Sequence, residues 1–382
     1  MSEFSFIHSS DLHLGKKFKS FPDEDSEART KLRSARSSII NNLIKVAEEN
    51  NVKHILLAGD TFDAEMPSEQ VITQTIDKMK DNNYVHWWII TGNHDSLDAE
   101  ILWEKFKNKS ELFSNIHFLE NYEETKIENG VFLYPCSLKN RFISEDPTNW
   151  IPQRDNQNVI RIGLAHGSAQ NFSRGGESND IINPDRANIS KLDYLALGDW
   201  HGQLKIKENT YYSGTPEYDN FVHSGYGTCL KVTINLKEKK NLCERIETGK
   251  LNWQRFSFSI TPEKNIDDII NEINTKLQND KDNTLVQILL EGRIYIHNRS
   301  ELLNKLDSFK GSFCYFDVNH KNLTTEFEAT NIDQIASSGA LRVAAETLYN
   351  SIEDINDSKE NRDIAASAFN RLFTDKESMN AN

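Results

Sequence analysis

Five short polar clusters, each directly after an apolar run, constrain this chain more than any other feature. They are Ser10-Asp11-Leu12-His13, Gly59-Asp60-Thr61-Phe62-Asp63, Gly92-Asn93-His94-Asp95, Ala165-His166-Gly167 and Gly198-Asp199-Trp200-His201. A short apolar run bounded by turn residues reads as a buried strand. A strand that stops on Asp, His or Asn delivers polar side chains at its carboxyl end, where open α/β sheets bind ligands. Any one cluster reads equally well as a hydrogen-bonded turn. His8, His86 and His117 carry no such context. The ordered set of five is different, because it gathers the Asp, His and Asn donors that suit a pair of divalent metals.

The segments between the clusters set the fold class. Phe4–Ser9, Val52–Ala58 and Tyr84–Thr91 read as strands. Ser26–Asn50 reads as a helix with Ile39, Leu43, Val46 and Ala47 on one face. A second helix, capped by Ser68, turns Val71, Ile72, Thr75, Ile76 and Met79 inward. This β-α-β-α-β alternation predicts a layered α/β fold. From about residue 115 short strands dominate: 116–119, 126–127, 131–135, 159–165, 194–197, 210–213 and 227–236. Two facing mixed sheets with helices on both sides, a four-layer α-β-β-α sandwich, are expected. Residues 142–157 and 170–180 read as surface loops.

The sequence predicts a first domain over 1–236 and a boundary in the charged stretch 237–250. A small β-α-β-α-β domain is expected over 250–320, with strands at 253–260, 284–296 and 312–318 and helices at 265–278 and 300–309. Residues 329–373 read as a helical region with two apolar stripes. The first is Ile335, Leu341, Ala344, Ala345, Leu348 and Ile352. The second is Ile364, Ala365, Ala368, Phe369 and Leu372. Such helices serve as a grip for a partner or dock on the preceding domain. Residues 374–382 read as disordered.

The net charge of −14 argues against coating nucleic acid with the whole surface, and suits a site that collects cations. The most basic segment, 15–36, leaves the first cluster directly, with Lys16, Lys17, Lys19, Arg29, Lys31, Arg33 and Arg36. It reads as phosphate contacts near the site. It reads equally as a solvated face, because Asp23, Glu24, Asp25 and Glu27 interrupt it. No run spans a bilayer and no signal peptide is evident, so a cytoplasmic location is expected. Cys136, Cys229, Cys243 and Cys314 are scattered and read as buried thiols.

The chemistry follows from the donors. Asp11, His13, Asp60 and His201 can hold one metal, and Asp60, Asn93, His166 and Asp199 the second, with Asp60 bridging. Two such ions activate water and clamp the oxygens of an in-line phosphoryl displacement. His94 can protonate the leaving oxygen, with Asp63 as the orienting partner of its imidazole.

The five clusters in this order resemble the calcineurin-like metallophosphoesterases. FIHSSDLHLG, LLAGDTFD, TGNHD, LAHGS, YLALGDWHG and YYSGTPE resemble the SbcD-type DNA repair nucleases within them. That resemblance implies a two-metal nuclease, usually manganese-dependent, with magnesium, iron or zinc as alternatives. It implies action on DNA ends with an SMC-like ATPase of the SbcC type, gripped by the C-terminal helices, in DNA repair or defence. A homodimer is compatible with it. It matches Asp11, His13, Asp60, Asn93, His166 and His201 to ligands, His94 to the catalytic histidine and Asp63 to its dyad partner. The chain departs at Asp199, where the family has Gly-His-x-His. The rivals are a phosphatase or phosphodiesterase for a nucleotide or other small substrate, and a weakly active subunit of a DNA complex.

Overall fold

The computed structural model describes residues 3–21, 27–142, 144–154, 158–169, 181–238, 240–277, 281–327 and 330–380. Its elements run β1 (Glu3–Ser9), α1 (Glu27–Ser37), α2 (Ile39–Glu49), β2 (His54–Ala58), α3 (Glu69–Lys80), β3 (His86–Ile90), α4 (Glu100–Ser110) and β4 (Ile116–Phe118). There follow β5 (Thr125–Glu128), β6 (Val131–Cys136), β7 (Ile160–His166), α5 (Arg186–Ile189), β8 (Tyr194–Gly198), β9 (Leu204–Lys207), β10 (Thr210–Tyr212), β11 (Thr228–Asn235) and β12 (Lys240–Glu247). Among the described residues these strands make two six-stranded sheets, β12-β11-β1-β2-β3-β4 and β5-β6-β7-β8-β10-β9.

Burial explains the layering. β2 (HILLA) is buried along its whole length, so both faces of its sheet must be covered. Ile7, Leu57, Trp87 and Ile89 pack outward against Ile39 and Leu43 of α2, Ile72 and Ile76 of α3, and Trp103 and Phe106 of α4. Phe6, Leu56, Trp88 and Ile90 pack inward against Leu133, Ile162, Leu164 and Tyr194 of the second sheet. The far face of that sheet, with Tyr134, Leu195 and Tyr212, is covered by Ile151, Ile182, Ala187 and Leu192. The sandwich therefore has four layers, and its last layer is mostly turns around the short α5.

Several expectations need correction. The helix expected over Ser26–Asn50 is two helices that break at Ser38, whose own N–H bonds to the Ser34 and Ala35 carbonyls. The charged stretch 237–250 is largely β12, paired antiparallel with β11 from Thr228↔Glu247 to Asn235↔Lys240. It is an edge strand with one solvated face, and charge there blocks edge-to-edge aggregation. The compact units are accordingly Met1–Trp253 and Gln254–Asn382. Helix α4 and strand β9 had no sequence expectation. The loop expected at 170–180 and the acidic residues Asp23, Glu24 and Asp25 lie outside the described residues.

The second unit contains most of β13 (Asn252–Ile260), then α6 (Ile266–Lys276), β14 (Thr284–Tyr295), α7 (Ile296–Asp307) and β15 (Tyr315–Glu326). These form a three-stranded sheet around Phe258, Ile269, Ile273, Ile288, Leu302 and Phe316. Helices α8 (Thr330–Ile335), α9 (Ala340–Glu353) and α10 (Lys359–Asn380) follow. Ile335, Ala345, Phe369 and Phe373 pack on Ile296 of α7, so these helices dock on the preceding sheet domain. α10 runs to Asn380, which corrects the disorder expected for 374–380. The four cysteines are free; Cys136 and Cys229 are buried, and Cys243 and Cys314 partly so. No helix among the described residues is long and apolar enough to cross a membrane.

His86 and His117 pack with His54 in a ladder across β2, β3 and β4, while His8 lies apart on β1, bonded to the Tyr194 hydroxyl and the Leu197 carbonyl. His54 Nε2 meets Glu128 at 3.0 Å, and Trp88 Nε1 donates to His54 Nδ1 at 3.1 Å. His86 Nδ1 lies 3.2 Å from His117 Nε2, and His117 stacks on Trp88 at 3.9 Å. Burial, aided by His86 and His54, pushes His117 down to about 4. Burial also lowers His54 and His86. The unfolded chain therefore takes up these protons first as pH falls. The stability they contribute is complete above about pH 6.5 and is lost towards pH 4. The melting temperature should drop over that window, and His117→Gln should flatten the drop. A parent whose melting temperature is level from pH 7 to 4.5 would contradict this.

Candidate metal centre

The five clusters meet at the carboxyl ends of β1, β2, β3, β7 and β8. Asp11, His13, Asp60 and His166 are all at most 2% exposed. The backbone is bent to bring them in. Asp11 (φ 55°), His13 (φ 44°), Asp60 (φ 52°) and Asp199 (φ 105°) sit at positive φ without being glycine. Such conformations cost about 1–3 kcal/mol each and cluster at functional sites. Glycine is required beside them. A Cβ on Gly92 would lie 2.1 Å from Asp60 Oδ1, and one on Gly198 would lie 2.0 Å from the Ala58 carbonyl.

His166 and His94 are each held at Nδ1 by a main-chain carbonyl and present Nε2. His166 Nδ1 meets the Ala58 carbonyl at 2.8 Å, and His94 Nδ1 meets the Asp63 carbonyl at 3.0 Å. A carbonyl only accepts, so both Nδ1 atoms carry the proton. His201 Nδ1 faces Asp219 Oδ1 at 3.5 Å, and His13 Nδ1 faces Asp63 Oδ1 at 3.5 Å. The two carbonyls fix tautomer and ring direction at His166 and His94, as the outer partners of metal-binding histidines do. The Nε2 atoms then converge. His13 Nε2 and His201 Nε2 are 3.1 Å apart, and His166 Nε2 is 2.9 Å from Asn93 Oδ1. Asp60 Oδ2 lies between the two groups, 3.8 Å from His13 Nε2 and 3.6 Å from His166 Nε2. Its other oxygen accepts from the His94 N–H at 2.9 Å.

Burial, with Asp11 and Asp199 nearby, pushes Asp60 up to about 6. Burial and Asp60 push Asp95 up to about 7. Burial opposes charge on His166, yet Asp60, Asp11 and Asp199 lift it to about 9. His13, by contrast, is driven well down by burial and by His201. Burial and mutual proximity thus raise the cost of ionising the carboxylates, while the carboxylates favour positive charge at His166. His13 Nε2 and His201 Nε2 lie 3.1 Å apart beside buried carboxylates, a crowding of imidazole and carboxylate donors that fits divalent metal ions. The sets Asp11–His13–His201, His13–Asp60–His94 and Asp11–Asp60–His166 each bring ligand atoms within 4.8 Å of one another.

All the expected residues are brought together, with two differences. Asp63 touches His94 through its main-chain carbonyl, while its carboxylate faces His13 and, at 3.6 Å, Lys16 Nζ. The side-chain dyad expected for Asp63 and His94 is therefore corrected, because the β2-end loop offers His94 a peptide oxygen instead. Asp199 is only partly buried. Its Oδ1 is 3.9 Å from His166 Nε2, and its N–H donates to the Asp11 carboxylate at 3.2 Å. If it reaches a metal, Asp199→Ala should weaken metal binding about 10-fold or more. Asp199→His should keep activity and shift preference towards softer ions such as zinc. Metal titration of both variants decides this; unchanged affinity in Asp199→Ala would remove it as a ligand.

Sequence reasoning missed two buried acids. Asp95 accepts from the Gly92 N–H at 2.7 Å and the Phe62 N–H at 3.0 Å, bracing the β2 and β3 ends together. Its position directly after His94 was the available signal. Asp219 binds Lys16 Nζ at 2.7 Å and faces Arg36 at 3.9 Å. Burial opposes its charge, but His201, Arg36 and Lys16 hold it well below the usual carboxylate range. It lies just past the YYSGTPE segment and carried no signal of its own.

Beside His94 opens a cleft of about 730 Å³, with Lys16, Lys17, Lys19, Asp63 and Ser68 also in its wall.

Comparison with known proteins gives the following. A family model described as calcineurin-like phosphoesterase matches residues 4–227. The uncharacterized metallophosphoesterase YhaO of Bacillus subtilis (strain 168) is 22% identical over 310 residues, covering 76% of this chain and 72% of YhaO. The SbcD component of the nuclease SbcCD from the same organism is 22% identical over 267 residues, covering 59% of this chain. The chain spans 65% of that component, less than two thirds of its length. Among solved structures, TT1561 of Thermus thermophilus is similar with a TM-score of 0.40 at 8% identity, covering 63% of this chain and 98% of that one.

Proposed function

The chain belongs to the calcineurin-like phosphoesterase family, and on that premise we propose that it is a two-metal-dependent DNA nuclease of the SbcD type. The observation that carries the two-metal reading is Asp60 Oδ2, 3.8 Å from His13 Nε2 and 3.6 Å from His166 Nε2. One carboxylate between two groups of donors is the arrangement a bridging ligand needs. DNA is favoured over a small substrate by the lysines of the cleft, and by the nuclease named among its relatives.

In this reading Asp11, His13, Asp60 and His201 hold one ion, and Asp60, Asn93, His166 and Asp199 the other. Hard oxygen donors from Asp11, Asp60, Asn93 and Asp199 favour manganese or magnesium. When bound, the ions supply Lewis acidity and an activated water for displacement at phosphorus. The protein does the rest. The Ala58 carbonyl holds His166 in the ligating tautomer, and Asp219 faces His201 Nδ1. His94 keeps its Nδ1–H on the Asp63 carbonyl; as the imidazolium it would give its Nε2 proton to the leaving oxygen as the P–O bond breaks, ending as the neutral Nδ1–H imidazole. Lys16 and its neighbours orient the strand by its phosphates.

The Met1–Trp253 unit carries the nuclease, the small sheet domain that follows is separate from it, and 329–373 bind an SMC-like ATPase of the SbcC type. Val343 on α9 and Ile364 on α10 are 61% and 62% exposed, a face suited to a helical partner. Val343→Asp with Ile364→Asp should abolish co-purification with such an ATPase at unchanged melting temperature. Retained co-purification would place the interface elsewhere.

The function itself is tested by manganese-dependent cleavage of labelled single- and double-stranded DNA, with bis(p-nitrophenyl) phosphate alongside. Hydrolysis of the small diester with no cleavage of either DNA would reject the nuclease reading and keep the phosphoesterase.

A further inference from the structure

A smaller cavity of about 240 Å³ adjoins the cleft, and Leu14, Gly15, Lys16, Lys17 and Val71 line both. We propose that this cavity is a nucleotide subsite, holding one phosphate and the adjacent base of a DNA strand whose scissile bond lies at His94. The proposal rests on the nuclease reading above and adds to it where the strand goes.

Charge is the first argument. The cavity wall contains Lys16, Lys17, Arg33, Arg36 and Lys78 and, among the described residues, no acid. This is a concentration of cations in a chain of net charge −14. Lys16 and Arg36 face Asp219, so they are partly neutralised. Lys17 and Arg33 are exposed, and Arg33 donates to the Lys17 carbonyl at 3.4 Å, which sets its guanidinium beside the loop. Lys78 donates to the Ser37 carbonyl across the cavity. Arg36 is 2% exposed and donates to the Leu12 and Tyr218 carbonyls, so it lends the wall charge rather than a free donor.

Shape and polarity are the second argument. The apolar part of the wall is Leu14, Ile40 and Val71. An apolar wall beside cations suits a nucleotide, whose base seeks apolar contact while its phosphate seeks charge. About 240 Å³ falls just below the usual range for ligand pockets, so it takes one nucleotide unit and excludes a duplex. The shared wall sets the cavity next to the cleft at His94. A strand entering it is a single strand or a frayed end.

The test uses the full chain with manganese and two substrates, a single-stranded oligonucleotide and bis(p-nitrophenyl) phosphate, which is too short to span both cavities. Arg33→Glu with Lys78→Glu should lower kcat/KM on the oligonucleotide at least tenfold and leave the small diester unchanged. Oligonucleotide binding, read by fluorescence anisotropy, should weaken, with a shallower dependence on salt. Arg33→Gln with Lys78→Gln should show the same pattern more weakly, and serves if the charge-reversed protein does not fold. An unchanged ratio of the two activities overturns the subsite and leaves the nuclease standing. Loss of both activities in the folded Gln variant also overturns it, because the residues would then serve the centre itself. A parent that hydrolyses the small diester but neither binds nor cleaves the oligonucleotide overturns the nuclease reading and the subsite together. Protection by free deoxynucleoside monophosphate with no change in the activity ratio would assign the cavity to a free nucleotide and overturn the strand path.

Discussion

His94→Ala should lower kcat for DNA cleavage about 10²–10⁴-fold, the usual worth of a positioned proton donor, at unchanged metal content. Asp63→Asn should behave differently. The peptide oxygen that holds His94 Nδ1 at 3.0 Å survives any side-chain substitution. The carboxylate that is lost faces His13 Nδ1 at 3.5 Å, so the expected defect is in metal affinity, about 10–100-fold. Saturating manganese should then restore Asp63→Asn to near the parent kcat, while His94→Ala stays slow at every manganese concentration. Equal losses of kcat at saturating metal would mean that the carboxylate serves His94 after all.

Asp60→Asn should have the largest effect on activity, because one residue stands between both groups of donors. Cleavage should fall by about 10⁴-fold or more. Stability should move the other way. The folded pKa of Asp60, about 6, lies above the ordinary carboxylate value. Its contribution to stability is therefore present below about pH 4 and lost as pH rises through about 6. At pH 7 the metal-free parent bears that penalty, and Asn never ionises. The Asn oxygen still accepts from the His94 N–H, so the backbone need not move. Without metal, the variant should melt about 2–4 °C higher than the parent. With saturating manganese the parent should gain stability by mass action and the variant should gain little. Equal gains in both would show that Asp60 is not shared between two ions.

Much of this was legible in the sequence, for a physical reason. A strand buried on both faces must be apolar, so its end is marked wherever the chain turns polar, and Asp11, Asp60, Asn93, His166 and His201 stand at such marks. Less legible was anything whose pattern is half solvent. β12 alternates with charge and looks like a linker until β11 is placed beside it. The break at Ser38 separates two helices that share one hydrophobic periodicity. Side-chain reasoning also misses contacts made by the main chain. Asp63 was matched to the right partner by the wrong atoms. Asp219 reaches His201 only because the chain returns beside β1, a closure that local pattern cannot show. The stacking of His86 and His117 with His54 depends on the register His54↔His86 and Trp88↔His117, which no local pattern shows.

The order of the first sheet has a consequence for synthesis. β1 lies between β2 and β11, and Phe4 pairs with Ile234. On the ribosome, β1 can pair with β2 early, but its other edge stays open until β11 has emerged. Contacts so far apart in sequence make folding slow, and an unpaired edge is a template for aggregation in the meantime. Asp11 follows this same strand, whereas His201 arrives only with the later residues. The nascent chain therefore cannot assemble its metal ligands piecemeal. The first unit, Met1–Trp253, can close only once β12 has emerged, so the complete set of donors forms while the second unit is still being made.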